Sequence, residues 1–113
     1  MSITTSETAI AALSALAQEH RLAAFRLLVE AGPEGLPAGT VAERLEIPPS
    51  SLSFHLAHLE RAGLVAKIRL GRTLLYSARF ETVRGLADYL LENCCGGRAC
   101  ADVAAPERLA KGA

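Results

Sequence analysis

Two adjacent prolines constrain this chain more than any other feature. A residue ahead of proline avoids the helical region, so Ile47-Pro48-Pro49 separates whatever lies on either side. Upstream, Val41 and Leu45 stand four apart and mark a short helix that starts near Thr40 and stops at the prolines. Downstream, Ser50 has the chemistry of an N-cap, and Leu52, Leu56 and Leu59 recur at i, i+4 and i+7 as a narrow apolar stripe that ends at Gly63. The period then changes. Leu64 to Leu70 and Thr73 to Tyr76 alternate in the strand manner around Gly71-Arg72, a pair suited to a two-residue hairpin loop. Two short helices about a tight turn, followed by a hairpin, are the order of a winged helix-turn-helix.

The flanks supply more helix. Thr4 and Glu7 have capping-box spacing, and Ile10, Leu13 and Leu16 follow at helical intervals. After Glu19-His20 the pattern resumes with Leu22, Phe25, Leu28 and Val29, so two helices are expected before Gly32-Pro33. Val83, Leu86, Ala87, Leu90 and Leu91 predict an amphipathic helix over Phe80 to Asn93, ended by Gly96-Gly97. With 113 residues, three Phe, two Tyr and no Trp, the chain is one small domain whose core is filled by Leu and Ala. The expected class is mainly α with a small β-hairpin. Residues 1–93 form the DNA-binding and dimerisation domain, and residues 94–113 form a cysteine-containing segment and tail.

Several function classes drop out. No apolar run reaches the roughly 18 residues of a membrane span, and MSITTSETAI lacks the features of a signal peptide, which predicts a cytoplasmic protein with no membrane partner. There is no Cys-x-x-Cys, no glycine-rich phosphate loop and no local grouping of Ser or Cys with His and Asp, so no enzyme is expected. Net charge is zero, yet residues 50–79 carry Arg61, Lys67, Arg69, Arg72 and Arg79 against Glu60 alone. Such a local basic face suits an anionic partner.

Turning the leucine stripe inward places Ser50, Phe54, Ala57 and Arg61 outward on the helix, Ser51, Ser53 and His58 on its shoulders, and His55 nearer the core flank. Small hydroxyls near a helix start suit phosphate and base contacts, and an outward aromatic suits a thymine methyl. Lys67 and Arg69 share one face of the hairpin, with Arg72 at its tip. The expected double-stranded DNA contacts are therefore Ser50, Ser51, Ser53, Phe54, His55, Arg61, Lys67, Arg69 and Arg72. Taken singly, each has an ordinary structural explanation as a cap, a packed ring or a solvated charge. A protein-interaction module is the competing class, and it predicts no salt-sensitive DNA binding.

The string IPPSSLSFHLAHLERAGLV, followed by the hairpin KIRLGRTLLYS, resembles the ArsR/SmtB family of metal-responsive repressors. The resemblance spans roughly residues 8–93 and rests on S-x-H-L-x-x-L-x-x-A-G-L-V, here Ser53 to Val65. It implies a homodimer built from the first and last helices and a palindromic operator. Aliphatic surface on those two helices also exceeds what so small a chain buries alone, and a two-fold dimer covers it. Two inducer sites common in that family are missing here. Leu36 to Thr40 has no Cys-x-Cys, and Phe80 to Asn93 has no His.

All three cysteines, Cys94, Cys95 and Cys100, fall within CCGGRAC. Neighbouring thiols on a helix diverge, but Gly96-Gly97 permits a reversal that returns Cys100 toward the other two. Three thiolates without a nearby His leave zinc one ligand short, to be made up by Glu92, Asp102 or water, whereas arsenite (As(III)), or Sb(III), needs only three. The family resemblance agrees, since some arsenic repressors carry such a cluster after the closing helix. The expected function is a repressor that leaves its operator when arsenite joins Cys94, Cys95 and Cys100. The alternative is a redox or persulfide switch in which Cys94 or Cys95 is oxidised and Cys100 resolves it. Thiol count favours the first. So does local charge, because the negative helix end and Glu92 raise a thiol pKa while only Arg98 lowers it.

Overall fold

The computed structural model describes residues 5–97. Within them lie helices α1 (Ser6–Leu16), α2 (Glu19–Ala31), α3 (Ala38–Leu45), α4 (Pro49–Arg61) and α5 (Phe80–Leu90), and strands β1 (Leu36–Pro37), β2 (Val65–Leu70) and β3 (Thr73–Ala78). The antiparallel sheet has the order β1-β3-β2. The expected mainly helical winged helix-turn-helix is present, with one more strand than the sequence suggested. No helix among the described residues is long and apolar enough to cross a membrane.

The first helix is capped one residue later than its spacing implied. Thr5 Oγ1 accepts from the Thr8 N–H at 3.2 Å, and the Thr5 N–H donates to Thr8 Oγ1 at 3.3 Å, so two threonines make the reciprocal box. Thr4 lies outside the described residues. The buried face of α1 is Ala9, Ala12 and Ala15, while Ile10 and Leu13 are 64% and 42% exposed. Alanines at this spacing let the helix backbone approach the body closely, which turns the larger aliphatic side chains away from their own core.

That core is aliphatic, as expected. Leu28, Val41, Leu52, Leu56, Leu59, Leu64 and Val65 are essentially fully buried, with Phe25, Tyr76 and Leu86 at its margin. Helix α3 begins at Ala38, two residues before Thr40, and ends where Glu46 takes a left-handed conformation (φ 56°). Ser50 is not a cap. Pro48 occupies the N-cap and Pro49 the first helical position, where a ring-fixed φ suits the helix and the missing N–H is not needed. Ser50 therefore sits inside the first turn with no capping hydrogen bond.

Strand β1 escaped the sequence reading. Leu36 and Pro37 pair with Tyr76 and Leu75 of β3. Two residues are too few to show a period, and Pro37 itself argues against a strand unless it lies on an edge, where β1 is. Gly35 makes the approach possible. Its φ is +74°, and a Cβ there would fall on the Tyr76 carbonyl oxygen and within 3.2 Å of Ser77 Cβ.

The β2–β3 hairpin closes as expected, with Leu70 opposite Thr73 and Gly71-Arg72 as its loop. Gly71 has φ +63°, which a two-residue turn of this kind requires at its first position. Helix α5 is then pinned to the end of α4. The Arg79 N–H donates to the Leu64 carbonyl at 2.8 Å, and the buried Thr82 hydroxyl donates to the Gly63 carbonyl at 2.7 Å. The helix ends at Leu90, short of Asn93, which is itself left-handed (φ 60°).

Candidate nucleic-acid interface and thiol turn

Burial of Leu52, Leu56 and Leu59 fixes the rotation of α4, and this decides which of its residues meet a ligand. Ser50, Ser51, Ser53 and Phe54 are all exposed and lie within the first turn and a half. Phe54 is 64% exposed, an unusual state for an aromatic that has its own domain to pack into. The structure thus brings four of the expected DNA contacts together at the N-terminal end of one helix.

His55 and Arg61 stand apart from that group. His55 is half-buried, with its ring 5.6 Å from that of His20 on α2 and 6.0 Å from that of Phe54. The leucine stripe turns position 55 toward α2, so this ring packs at the seam between the two helices. Arg61 ends α4, about three turns from Ser50, and lines a groove against α1.

The seam is electrostatically one-sided. Nδ1 of His55 and Nδ1 of His58 are buried without a hydrogen-bond partner. Burial, followed by the charges of Arg21, His20 and His58, holds His55 below its ordinary pKa. Burial and the charges of Arg21 and Arg61 do the same to His58. Arg21 is itself fixed, because its Nε donates to the Ala15 carbonyl at the end of α1 at 2.7 Å. Sequence periodicity placed His55 near the core flank but gave no sign of its pairing with His20, which is 35 residues away in the chain.

On the hairpin, Lys67, Arg69 and Arg72 are exposed. Lys67 Nζ lies 3.9 Å from Glu60 Oε1 of α4, an exposed pair of little energetic weight that a phosphate can displace. Ile68 and Leu70, on the opposite face of β2, are also exposed. The serines, Phe54 and the hairpin cations together make a small hydroxyl and aromatic cluster flanked by positive charge.

At the far end of the chain, Cys94 opens a single 3-10 turn, Cys94–Gly97, beyond α5. Adjacent thiols diverge on a regular helix, but Cys95 is left-handed here (φ 57°, ψ 28°), as is Gly96 (φ 66°, ψ 27°). The two sulfurs are 3.6 Å apart and both residues are exposed. Two thiolates about 2.3 Å from a common tetrahedral metal stand about 3.8 Å apart, so the backbone already holds this pair at a chelating distance. Cys94 is disulfide-bonded, and its bonding partner is not Cys95. Cys100, the third expected ligand, lies outside the described residues, as does Arg98. Among the described residues no group of three metal-ligating side chains is assembled.

Residues 16–68 match the profile of a helix-turn-helix domain family. The transcriptional activator HlyU of Vibrio cholerae is 33% identical over 90 residues, which cover 80% of this chain and 81% of HlyU. The chain belongs to the ArsR/HlyU family of winged helix-turn-helix transcriptional regulators. The solved structure of V. cholerae HlyU superposes with a TM-score of 0.62 at 32% identity, covering 80% of this chain and 95% of that one. HlyU has also been solved in a reduced form, with a TM-score of 0.58 at 30% identity, covering 77% of this chain and 90% of that one. An ArsR-like transcriptional regulator from Rhodococcus sp. RHA1 reaches 0.67 at 27% identity, covering 96% and 97%. These relatives are transcriptional regulators rather than enzymes, in line with the sequence reading.

Proposed function

We propose that this ArsR/HlyU-family regulator is a homodimeric repressor that leaves its operator when trivalent arsenic, or antimony, is held by Cys94, Cys95 and Cys100. The observation that carries the inducer assignment is the 3.6 Å separation of the Cys94 and Cys95 sulfurs, produced by left-handed backbone at a position where a helix would splay them. Arsenite exchanges its three hydroxyls for three thiol sulfurs, releasing three waters. A three-thiol site thus meets its full coordination without the fourth ligand that zinc demands.

The DNA-facing set is Ser50, Ser51, Ser53 and Phe54 at the start of α4, entering a major groove, with Lys67, Arg69 and Arg72 on adjacent phosphates. Dimerisation is supported by the apolar surface that the fold leaves open. Ile10 and Leu13 on α1, and Leu90 and Leu91 beyond the packed part of α5, are all exposed, and α1 packs against α5. A two-fold partner covers these four side chains and sets two α4 helices about one DNA turn apart. Cys94 follows directly on the segment that bears Leu90 and Leu91, so holding its sulfur together with the others constrains the end of the dimer face.

The disulfide at Cys94, together with the likeness to HlyU, favours one second reading, a thiol switch in which a peroxide oxidises two thiols to a disulfide and is reduced to water. Fluorescence anisotropy of labelled DNA from upstream of the gene separates the two. Fully reduced protein should bind and be released by arsenite, and Cys100→Ser should bind equally and fail to respond. Release by peroxide but not arsenite overturns the metalloid assignment in favour of the switch, and full arsenite release of Cys100→Ser refutes the three-thiol site.

A further inference from the structure

A second polar site lies on the other side of the molecule from the thiol turn's chemistry and is used by none of the functions above. Between α1 and the last turns of α4 runs a groove of about 210 Å³, lined by Ala11, Ser14, His58, Arg61 and Ala62. Its polar groups are donors or donor-capable. Ser14 offers a hydroxyl and Arg61 a guanidinium. Since Nδ1 of His58 is buried, Nε2 is the ring nitrogen left to meet an outside group.

The groove contains no acceptor side chain with a formal negative charge. The ion pairs among the described residues are Lys67 with Glu60 and Arg79 with Glu81, so Arg61 has no carboxylate partner among them. The charges acting on His58 come from Arg21 and Arg61, and both are positive. A concave site with several converging donors and an uncompensated positive field is complete only with an anion in it.

We propose that this groove binds a small tetrahedral oxyanion of the phosphate or sulfate type, with Arg61 as its principal ligand and Ser14 and His58 as further donors. Arg61 supplies paired N–H groups matched to two oxygens of such an ion. The C-terminal end of α4 opposes negative charge and the groove is open to water, so the affinity is weak, with a Kd on the order of 1 mM. Ser14 belongs to the helix bearing Ile10 and Leu13, whereas His58 and Arg61 belong to the helix bearing Phe54. A bound ion therefore ties the helix with the open apolar face to the helix with the exposed serines, and resists any movement of one relative to the other.

The test needs neither DNA nor arsenite, so its failure leaves the regulator assignment standing. The ring protons of the three histidines are followed by NMR in the reduced full chain as inorganic phosphate is added, with ionic strength held constant by sodium chloride. A saturable shift confined to His58, with the His58 pKa raised by the bound anion, is expected. Arg61→Gln should weaken binding at least about fivefold and Ser14→Ala about twofold, as loss of a charged and a neutral hydrogen bond respectively implies. Both positions are exposed, and circular dichroism checks that the variants keep their helix. A linear drift shared by all three rings, the same shift with chloride, or an unchanged curve in Arg61→Gln overturns the proposal.

Discussion

Replacing Gly35 with alanine tests how strand β1 is built, and Gly71 provides the control. Both glycines have positive φ, +74° and +63°, so either substitution places an L-residue in left-handed backbone at a cost of about 1 kcal/mol. They differ in space. Nothing lies within 4 Å of a Cβ at Gly71, whereas at Gly35 it would meet the Tyr76 carbonyl oxygen and stand 3.0 Å from its carbon and 3.2 Å from Ser77 Cβ. These are backbone and near-backbone atoms of β3, which is paired on both sides and cannot move alone. Overpacking of this kind adds about 1–3 kcal/mol. Gly71→Ala should therefore lower stability by about 1 kcal/mol and Gly35→Ala by about 2–4 kcal/mol. At about 4–8 °C per kcal/mol, the second change lowers Tm by roughly 10–25 °C. Urea unfolding followed by circular dichroism, at one protein concentration because the assembly contributes to stability, measures both. Equal losses in the two variants would refute the close-approach reasoning and leave only the φ cost.

On the hairpin, Arg69→Ala and Arg72→Ala should each reduce the slope of log K against log salt by about 0.9, as one lost phosphate contact requires, while weakening all DNA sequences alike. An unchanged slope removes that residue from the interface. Thr82→Val keeps the shape but strands the Gly63 carbonyl, and chemical denaturation should show a loss of about 1–2 kcal/mol. His55 and His58 are held below their unfolded pKa, so the unfolded chain binds more protons and their contribution is full above about pH 6.5. It is lost as the pH falls from there toward their folded values. Melting curves between pH 7.5 and 5.5 should show Tm falling on acidification, and a fall that persists undiminished in the double Gln variant assigns it elsewhere. Ile10→Glu should drive the protein toward monomer in sedimentation while leaving its circular dichroism intact. A fully dimeric variant places the interface on another face.

Much of the fold was legible because it is governed by local rules. The prolines at 48 and 49 divide α3 from α4, the leucines at 52, 56 and 59 fix the buried face of α4, and Gly71-Arg72 makes the hairpin turn. Each of these depends on residues within a few positions of one another. The boundaries were less legible, because Pro48 and Pro49 together displaced Ser50 from the cap and Thr8 served where Glu7 had been expected. The relevant choice lay between neighbouring residues of similar capping ability.

Tertiary structure decided the rest. Strand β1 exists because Gly35 admits it against β3, some forty residues on, and two residues carry no period to announce it. Helix α1 has both an alanine face and an Ile10-Leu13 face, and its periodicity accommodates either. Close packing against α2 and α4 chose the alanines and left the larger side chains open. His55 belongs to the α2 seam because His20 is there to meet it. The sequence determined that three thiols lie together after the last helix, but the left-handed turn at Cys95 brings two of their sulfurs within 3.6 Å. Composition and spacing thus set which groups are available, while backbone dihedrals and non-local packing set which of them face one another.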